Sequence, residues 1–153
     1  MILLISAYYL DAYLSSRNNF HVQLDFSETL AGTDNDKNGI RDDMDEYIEV
    51  LSKVNHYNEK QVNALKQIAR TWQSLVNEDL KSSESVNKTE ILNYRSCGCI
   101  LSQFHDREAI RIRNKMKDYT FNTQQRLTVY MQHVRVADSL SSTVPDSKDC
   151  DNK

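Results

Sequence analysis

The chain has very little of the two residues that mark turns: three glycines and one proline among 153 residues. A β sandwich or barrel needs a turn signal every ~8–12 residues, so this scarcity favours long helices with short connections. An excess of basic residues is also missing, because the formal net charge is −3. Neither nucleic acid nor an anionic membrane is therefore expected as the main partner.

A long hydrophobic run is absent as well. Residues Met1 to Leu10 are apolar, but Asp11 interrupts them and the run is too short to span a membrane. The run is either the remnant of a signal peptide that starts upstream or an ordinary buried segment. We therefore divide the chain into a leader or N-terminal segment, 1–29, and one helical domain with a polar tail, 30–153, and expect no membrane span in the mature chain.

The remaining apolar residues recur at helical spacing. The stripes predict helices that start near Ile40, after Asn58 and after Asn122 or Thr123, and two more over 86–104 and 106–119. Asn58 followed by Gln61 is a capping-box pattern, and that helix is expected to end near Leu80. The sequence thus predicts an all-α protein, a four- or five-helix bundle.

An acidic run with a glycine at its centre precedes the first long helix. Calcium prefers six to eight oxygen ligands, which a twelve-residue loop supplies from positions 1, 3, 5, 7, 9 and 12. Gly39 falls at position 6, where the chain must turn sharply. The predicted metal ligands are Asp34, Asp36, Asn38, the carbonyl of Ile40, Asp42 and Asp45. The simpler alternative is an acidic turn that caps a helix.

This loop resembles the calcium repeats of dockerins and thrombospondin type 3 segments, which match it at every ligand position. It is EF-hand-like, but Asp45 stands where an EF-hand has a bidentate Glu, and Glu46 or Asp43 are substitutes for that ligand. An entering helix is not evident before the loop. The resemblance therefore implies a structural ion, Ca²⁺, rather than a switch.

The three cysteines are Cys97, Cys99 and Cys150. Cys97 and Cys99 would lie on different faces of a helix, and Cys99 is in phase with the apolar face. We therefore favour a Cys99–Cys150 disulfide, worth about 3–4 kcal/mol, and an oxidising compartment. Three reduced cytosolic thiols, or a zinc site formed by Cys97, Cys99 and His105, remain alternatives.

No pattern typical of an active site is present. The histidines are scattered and are expected at the surface or half buried, and we find no phosphate loop, nucleophile elbow or catalytic triad order. A basic amphipathic segment could contact nucleic acid or an acidic partner protein, although a solvated helix face is the simpler interpretation. Its cations are Arg107, Arg111, Arg113, Lys115 and Lys117.

The chain also resembles a family of small exported bacterial proteins. The resemblance is carried by 34–43, by Glu46-Tyr47-Ile48, by 99–101, by 122–126 and by Cys150-Asp151. It implies a helical fold, a periplasmic setting and a Cys99–Cys150 bridge. In size, class and compartment such proteins are similar to the immunity proteins that block toxins of the type VI secretion system.

These observations favour a non-enzymatic, periplasmic, calcium-binding protein that acts by binding another protein, as an immunity protein binds its cognate toxin. Two alternatives stay open. One is a hydrolase or peptidoglycan-processing enzyme with a structural calcium, and the other is a cytosolic regulator that uses the basic helix. The oligomeric state is not predicted.

Overall fold

A computed structural model describes residues 22–140 and 150–151. Within these ranges the chain forms five α-helices and no strand, which confirms the all-α prediction. The apolar run at 1–10, His21 and most of the polar tail lie outside the described residues. The helices are α1 (Asp42–Asn55), α2 (Glu59–Val76), α3 (Ser83–Gln103), α4 (Asp106–Thr120) and α5 (Gln124–Ala137).

Side-chain caps set several helix starts. Asn58 and Gln61 form the predicted reciprocal capping box at the start of α2. Ser82 and Thr123 accept backbone N–H groups at the starts of α3 and α5. Helix α2 ends before the expected Leu80, because the backbone leaves the helical conformation at Asn77.

Helix α2 lies at the centre of the bundle and packs against the other four helices, most extensively against α3. Trp72 is its largest buried side chain and is only 1% exposed. Other helices contribute aromatic contacts, as where Tyr47 of α1 meets Tyr119 of α4 edge-on at 5.0 Å. The core is completed by Ile40, Met44, Ile48, Leu65, Ile68, Leu75, Cys99, Ile100, Ile112 and Met116.

The end of the tail is fastened to α2 and α3. The sulfur atoms of Cys99 and Cys150 are 2.07 Å apart, which is the predicted pairing, and Cys97 is free. The backbone N–H of Asp151 donates to Gln67 on α2, and its carboxylate lies 3.3 Å from Arg95 on α3. The zinc hypothesis is wrong, because the disulfide occupies the Cys99 sulfur.

Among the described residues, no helix is both long enough and apolar enough to cross a membrane.

Loss of the disulfide should weaken the fold more than loss of the free thiol. Cys150→Ser opens a loop with a sequence separation of 51, so we expect the free energy of unfolding to fall by about 3–4 kcal/mol. Cys97→Ser is the matched control and should change it by less than about 1 kcal/mol. Urea denaturation measures both, and equal effects of the two variants would contradict the assignment.

Candidate metal centre

The loop ahead of α1 turns sharply at two positions with positive φ, Lys37 (57°) and Gly39 (82°). The turn directs Ile40 into the core, where it is fully buried. Arg70 of α2 donates from Nε to the carbonyl of Asn38 at 3.3 Å. The loop is therefore held between the core below it and α2 beside it.

Three of the six predicted ligands come together. Asp34, Asp36 and Asp42 each place a carboxylate oxygen within 4.8 Å of the others, as a shared cation would require. Asp34 and Asp42 are partly buried, and Asp36 is exposed. An oxygen-only donor set of this kind suits a hard divalent cation.

Two further predicted ligands, Asn38 and Asp45, are linked to this cluster by hydrogen bonds of Asn38. Its amide nitrogen donates to Asp36 at 2.9 Å and to Asp45 at 2.6 Å. Its amide oxygen accepts the N–H of Ile40 at 2.7 Å. Asn38 therefore links the exposed side of the loop to Asp45 in the first turn of α1.

Backbone and amide donors surround the same carboxylates. The N–H groups of Asn38 and Gly39 donate to Asp34 at 3.2 and 3.0 Å. Asn35 donates to Asp42 from both its backbone and its side chain. These donors hold the negative charges close together within one turn of chain.

The environment of Asp45 disfavours its negative charge. Burial, the largest effect, raises the pKa of this carboxyl, and the nearby charge of Asp36 raises it further. The Asn38 hydrogen bond and the charges of Lys66 and Arg70 lower the pKa but do not offset burial. A cation within the loop would favour the ionised form of Asp45.

Asp43 does not belong to the cluster, so its predicted role as a substitute ligand is wrong. Its carboxylate is buried and forms a two-pronged ion pair with Arg41, with Nε–Oδ1 at 2.5 Å and Nη2–Oδ2 at 2.8 Å. The same guanidinium donates to the carbonyls of Tyr119 and Thr120 at the end of α4. Arg41 thus joins the start of α1 to the end of α4.

A second buried guanidinium holds the segment before the loop. Arg126 of α5 is fully buried and donates to the backbone carbonyls of Asp25, Thr29 and Leu30 at 2.5–3.0 Å. It also donates to Asn122 at 2.8 Å. Residues 25–30 are therefore in direct contact with α5, although our division of the sequence placed most of them in the N-terminal segment.

Asp25 lies between these two arginines and the loop. Its backbone N–H donates to Asp43, and its carboxylate accepts the N–H groups of Ser27 and Thr33. Burial, the largest effect, opposes ionisation, but the hydrogen bonds from Ser27 and Thr33 and the charge of Arg126 together lower the pKa of Asp25 to about 2. An ionised carboxylate therefore fastens residues 25–33 at neutral pH.

Sequence reasoning missed this polar network. The signals for it were weak: Arg41 occupies an undistinguished position of the loop, and Arg126 is one more cation at a helix start. The one indicative residue was Gly32, since glycine is rare in this chain. Its φ is +69°, and a Cβ there would collide with Cδ of Arg41 and lie 2.7 Å from the Asp25 carboxylate.

The basic segment is less available than its sequence indicates. Arg113 lies 5.5 Å from the centre of the Trp72 ring, Lys115 lies 4.8 Å from Tyr119 and Lys117 lies 5.8 Å from Tyr130. Three of its five cations therefore contact aromatic rings of the same molecule. These three side chains therefore contribute to packing within the molecule, which neither a purely solvated face nor a partner-binding face had predicted.

The histidines differ in their surroundings. His56 and His105 are exposed at helix ends, as expected. His133 is buried, which corrects that expectation, and its ring nitrogens face Glu78 and Glu90. The periodicity of α5 did not predict this contact, because both partners lie on other elements.

The chain was compared with family models, curated proteins and solved structures, and none of them matches it.

The close packing of Arg41 and Asp25 around Gly32 allows a direct test of this polar network. Gly32→Ala should lower the free energy of unfolding by about 3 kcal/mol, because a crowded Cβ adds to the strain of positive φ. Gly39→Ala has similar φ but meets only Arg70 Cγ at 3.9 Å, so we expect a loss of about 1 kcal/mol.

Both variants should be compared by urea denaturation with a chelator present, so that metal binding does not contribute. Equal losses would show that the packing of Arg41 and Asp25 around Gly32 has no energetic weight.

Proposed function

We propose that this protein is a non-enzymatic calcium-binding protein of an oxidising, exported compartment that acts by binding another protein. The observation that carries the proposal is the convergence of the Asp34, Asp36 and Asp42 carboxylates at a tight glycine turn. The fold supplies this convergence by fastening the loop on both sides. Arg70 holds its middle, and Arg41 with Asp43 holds its end.

Calcium fits this donor set better than other biological cations do. Zinc prefers nitrogen and sulfur ligands, and magnesium demands a rigid octahedron, whereas calcium accepts six to eight oxygens in a flexible shell. The proposed ligands are Asp34, Asp36, Asn38, the Ile40 carbonyl, Asp42 and Asp45. Calcium would take the place of the Asn38 amide hydrogens as the positive group between Asp36 and Asp45.

The effect of such an ion would be structural. Two of the proposed ligands, Asp42 and Asp45, belong to the first turn of α1, and the preceding loop connects to residues 25–33. An ion would therefore fix the orientation of the loop against α1. Because no helix precedes the loop within the described residues, the paired helices that open in a calcium sensor are not present in this region.

Two further features support the exported setting and the binding role. The Cys99–Cys150 pairing fits the bacterial periplasm better than the reducing cytosol. Phe26, Ile110 and Met131 are each more than half exposed, so apolar side chains are accessible to a partner protein. The proposed partner is a cognate toxin, with the chain acting as its immunity protein.

The enzymatic alternative gains no support from the described residues. An open depression of about 320 Å³ beside the loop is lined by Gln23, Thr33 and four carboxylates. The residues that line it include no histidine, serine, cysteine or lysine. The carboxylates are those of Asp25, Asp42, Asp43 and Glu46.

Calcium should stabilise the protein if it binds the loop. A free concentration 100 times the Kd adds about 2.7 kcal/mol, which should raise Tm by about 5–10 °C. The double variant Asp34→Ala, Asp36→Ala should lose this shift. Asp118→Ala with Asp138→Ala, two exposed carboxylates outside the loop, should keep it.

Calorimetry in a chelator and in about 5–10 mM CaCl₂, which exceeds the weakest Kd of known calcium modules (about 1 mM), gives the comparison. An unchanged wild-type Tm at that concentration would refute the calcium proposal. A shift retained by the double variant would place the ion elsewhere.

The immunity proposal makes a separate prediction. The purified chain should bind the product of an adjoining toxin-like gene with a Kd of about 10⁻⁷ M or tighter, and its export should protect cells that receive that toxin. Titration calorimetry and a survival assay test the two statements. Absence of binding with calcium present would reject the immunity role and leave the metal centre unaffected.

A further inference from the structure

Helix α5 is held to the bundle in an unusual way. Its fully buried residues are Arg126 and His133, both of which can carry a positive charge. The helix packs against α2 and α3. Charged groups are rarely buried without partners, so the docking of α5 depends on how these two side chains are satisfied. Arg126 donates its hydrogen bonds to residues 25–30 and Asn122. The buried His133 ring requires partners of its own.

His133 lies between two glutamates from the elements that α5 packs against. Nδ1 is 2.5 Å from Oε2 of Glu78, which follows α2, and Nε2 is 2.7 Å from Oε1 of Glu90 on α3. The side chains of His133 and Glu78 are each 1% exposed, and that of Glu90 is 16% exposed. These two carboxylates are the charged groups that face the ring.

The hydrogen count of this cluster requires a proton. An ionised carboxylate only accepts hydrogen bonds, and a neutral imidazole has one N–H donor, whereas imidazolium has two. With all three side chains deprotonated, one ring nitrogen would direct its lone pair at a carboxylate oxygen. Both contacts are favourable only if the cluster holds one proton in addition to the N–H of a neutral ring. The ring carries this proton as imidazolium.

The geometry makes loss of that proton costly. Oε1 of Glu78 is buried and has no hydrogen-bond partner among the described residues. A neutral ring would leave two largely buried carboxylates with no cation between them. Burial of the ring, the largest effect, lowers the pKa of His133, but the hydrogen bonds and charges of Glu90 and Glu78 outweigh it, so the pKa is raised above 6.5.

We propose that the Glu78–His133–Glu90 cluster is a proton-dependent latch that holds the C-terminal half of α5 against α2 and α3 and releases it as the pH rises. The folded state binds the ring proton more tightly than the unfolded chain does. The stability that the latch adds is therefore complete below the ring's unfolded pKa and is lost as the pH rises through the folded pKa. The first half of α5 stays attached through Arg126.

The test uses the complete chain with Cys97→Ser, to prevent thiol exchange, in a chelator at pH 6.0–8.5. We expect Tm to fall by about 5 °C across this range. Glu90→Gln should flatten the fall, because the Gln amide can donate to a neutral ring. His105→Gln, at an exposed histidine, is the matched control and should keep the full fall.

A second readout follows the histidine directly and does not depend on stable variants. In NMR titration of the ring carbon-bound protons, His133 should titrate above the ordinary histidine value of about 6.5, and slowed amide exchange in 130–137 should be lost in the same pH range. A His133 midpoint at or below that value would overturn the proposal. So would a Glu90→Gln protein whose melting profile follows that of the parent.

Discussion

The structure depends on complete hydrogen bonding of two buried guanidinium groups. A buried cation without partners costs several kcal/mol, so the surrounding chain must present acceptors in fixed positions. Arg41 collects its acceptors from Asp43 and the end of α4, and Arg126 collects its own from residues 25–30. Each arginine makes these contacts from a helix or its cap. The hydrogen bonds of the two arginines therefore fix the positions of the acidic loop, α4 and α5 relative to one another.

The acidic loop, residues 34–45, and the polar network are parts of one arrangement. Thr33 is the link, since its carbonyl accepts the N–H of Asp42 at 2.8 Å and its N–H donates to Asp25. Asp42 is a proposed ligand, and Asp25 is held by Arg126. The protein's own hydrogen bonds therefore hold the loop in place, and such preorganisation would lower the entropic cost of collecting oxygen ligands around the proposed ion.

The helices were predictable because their signals are local. Periodicity predicted all five, and Asn58 with Gln61 marked a helix start that the structure confirms. The convergence of Asp34, Asp36 and Asp42 was also readable, because the three residues lie close together in the chain. The pairs Arg126–Asp25 and His133–Glu78 were not predictable, since each joins residues far apart in the chain. A single sequence shows no signal for such contacts, and a buried arginine there looks like a surface one.

The Cys99–Cys150 bond also determines how the molecule would respond to tension. Force applied beyond residue 150 passes through the disulfide into the C-terminal part of α3, so the covalent path bypasses both α4 and α5. Those two helices could unfold without lengthening the covalent path between the two ends of the chain. The disulfide therefore excludes the 51-residue separation, about 180 Å of extended chain, from the measured extension. In single-molecule stretching from the two ends, reduction of this bond would appear as a longer final contour.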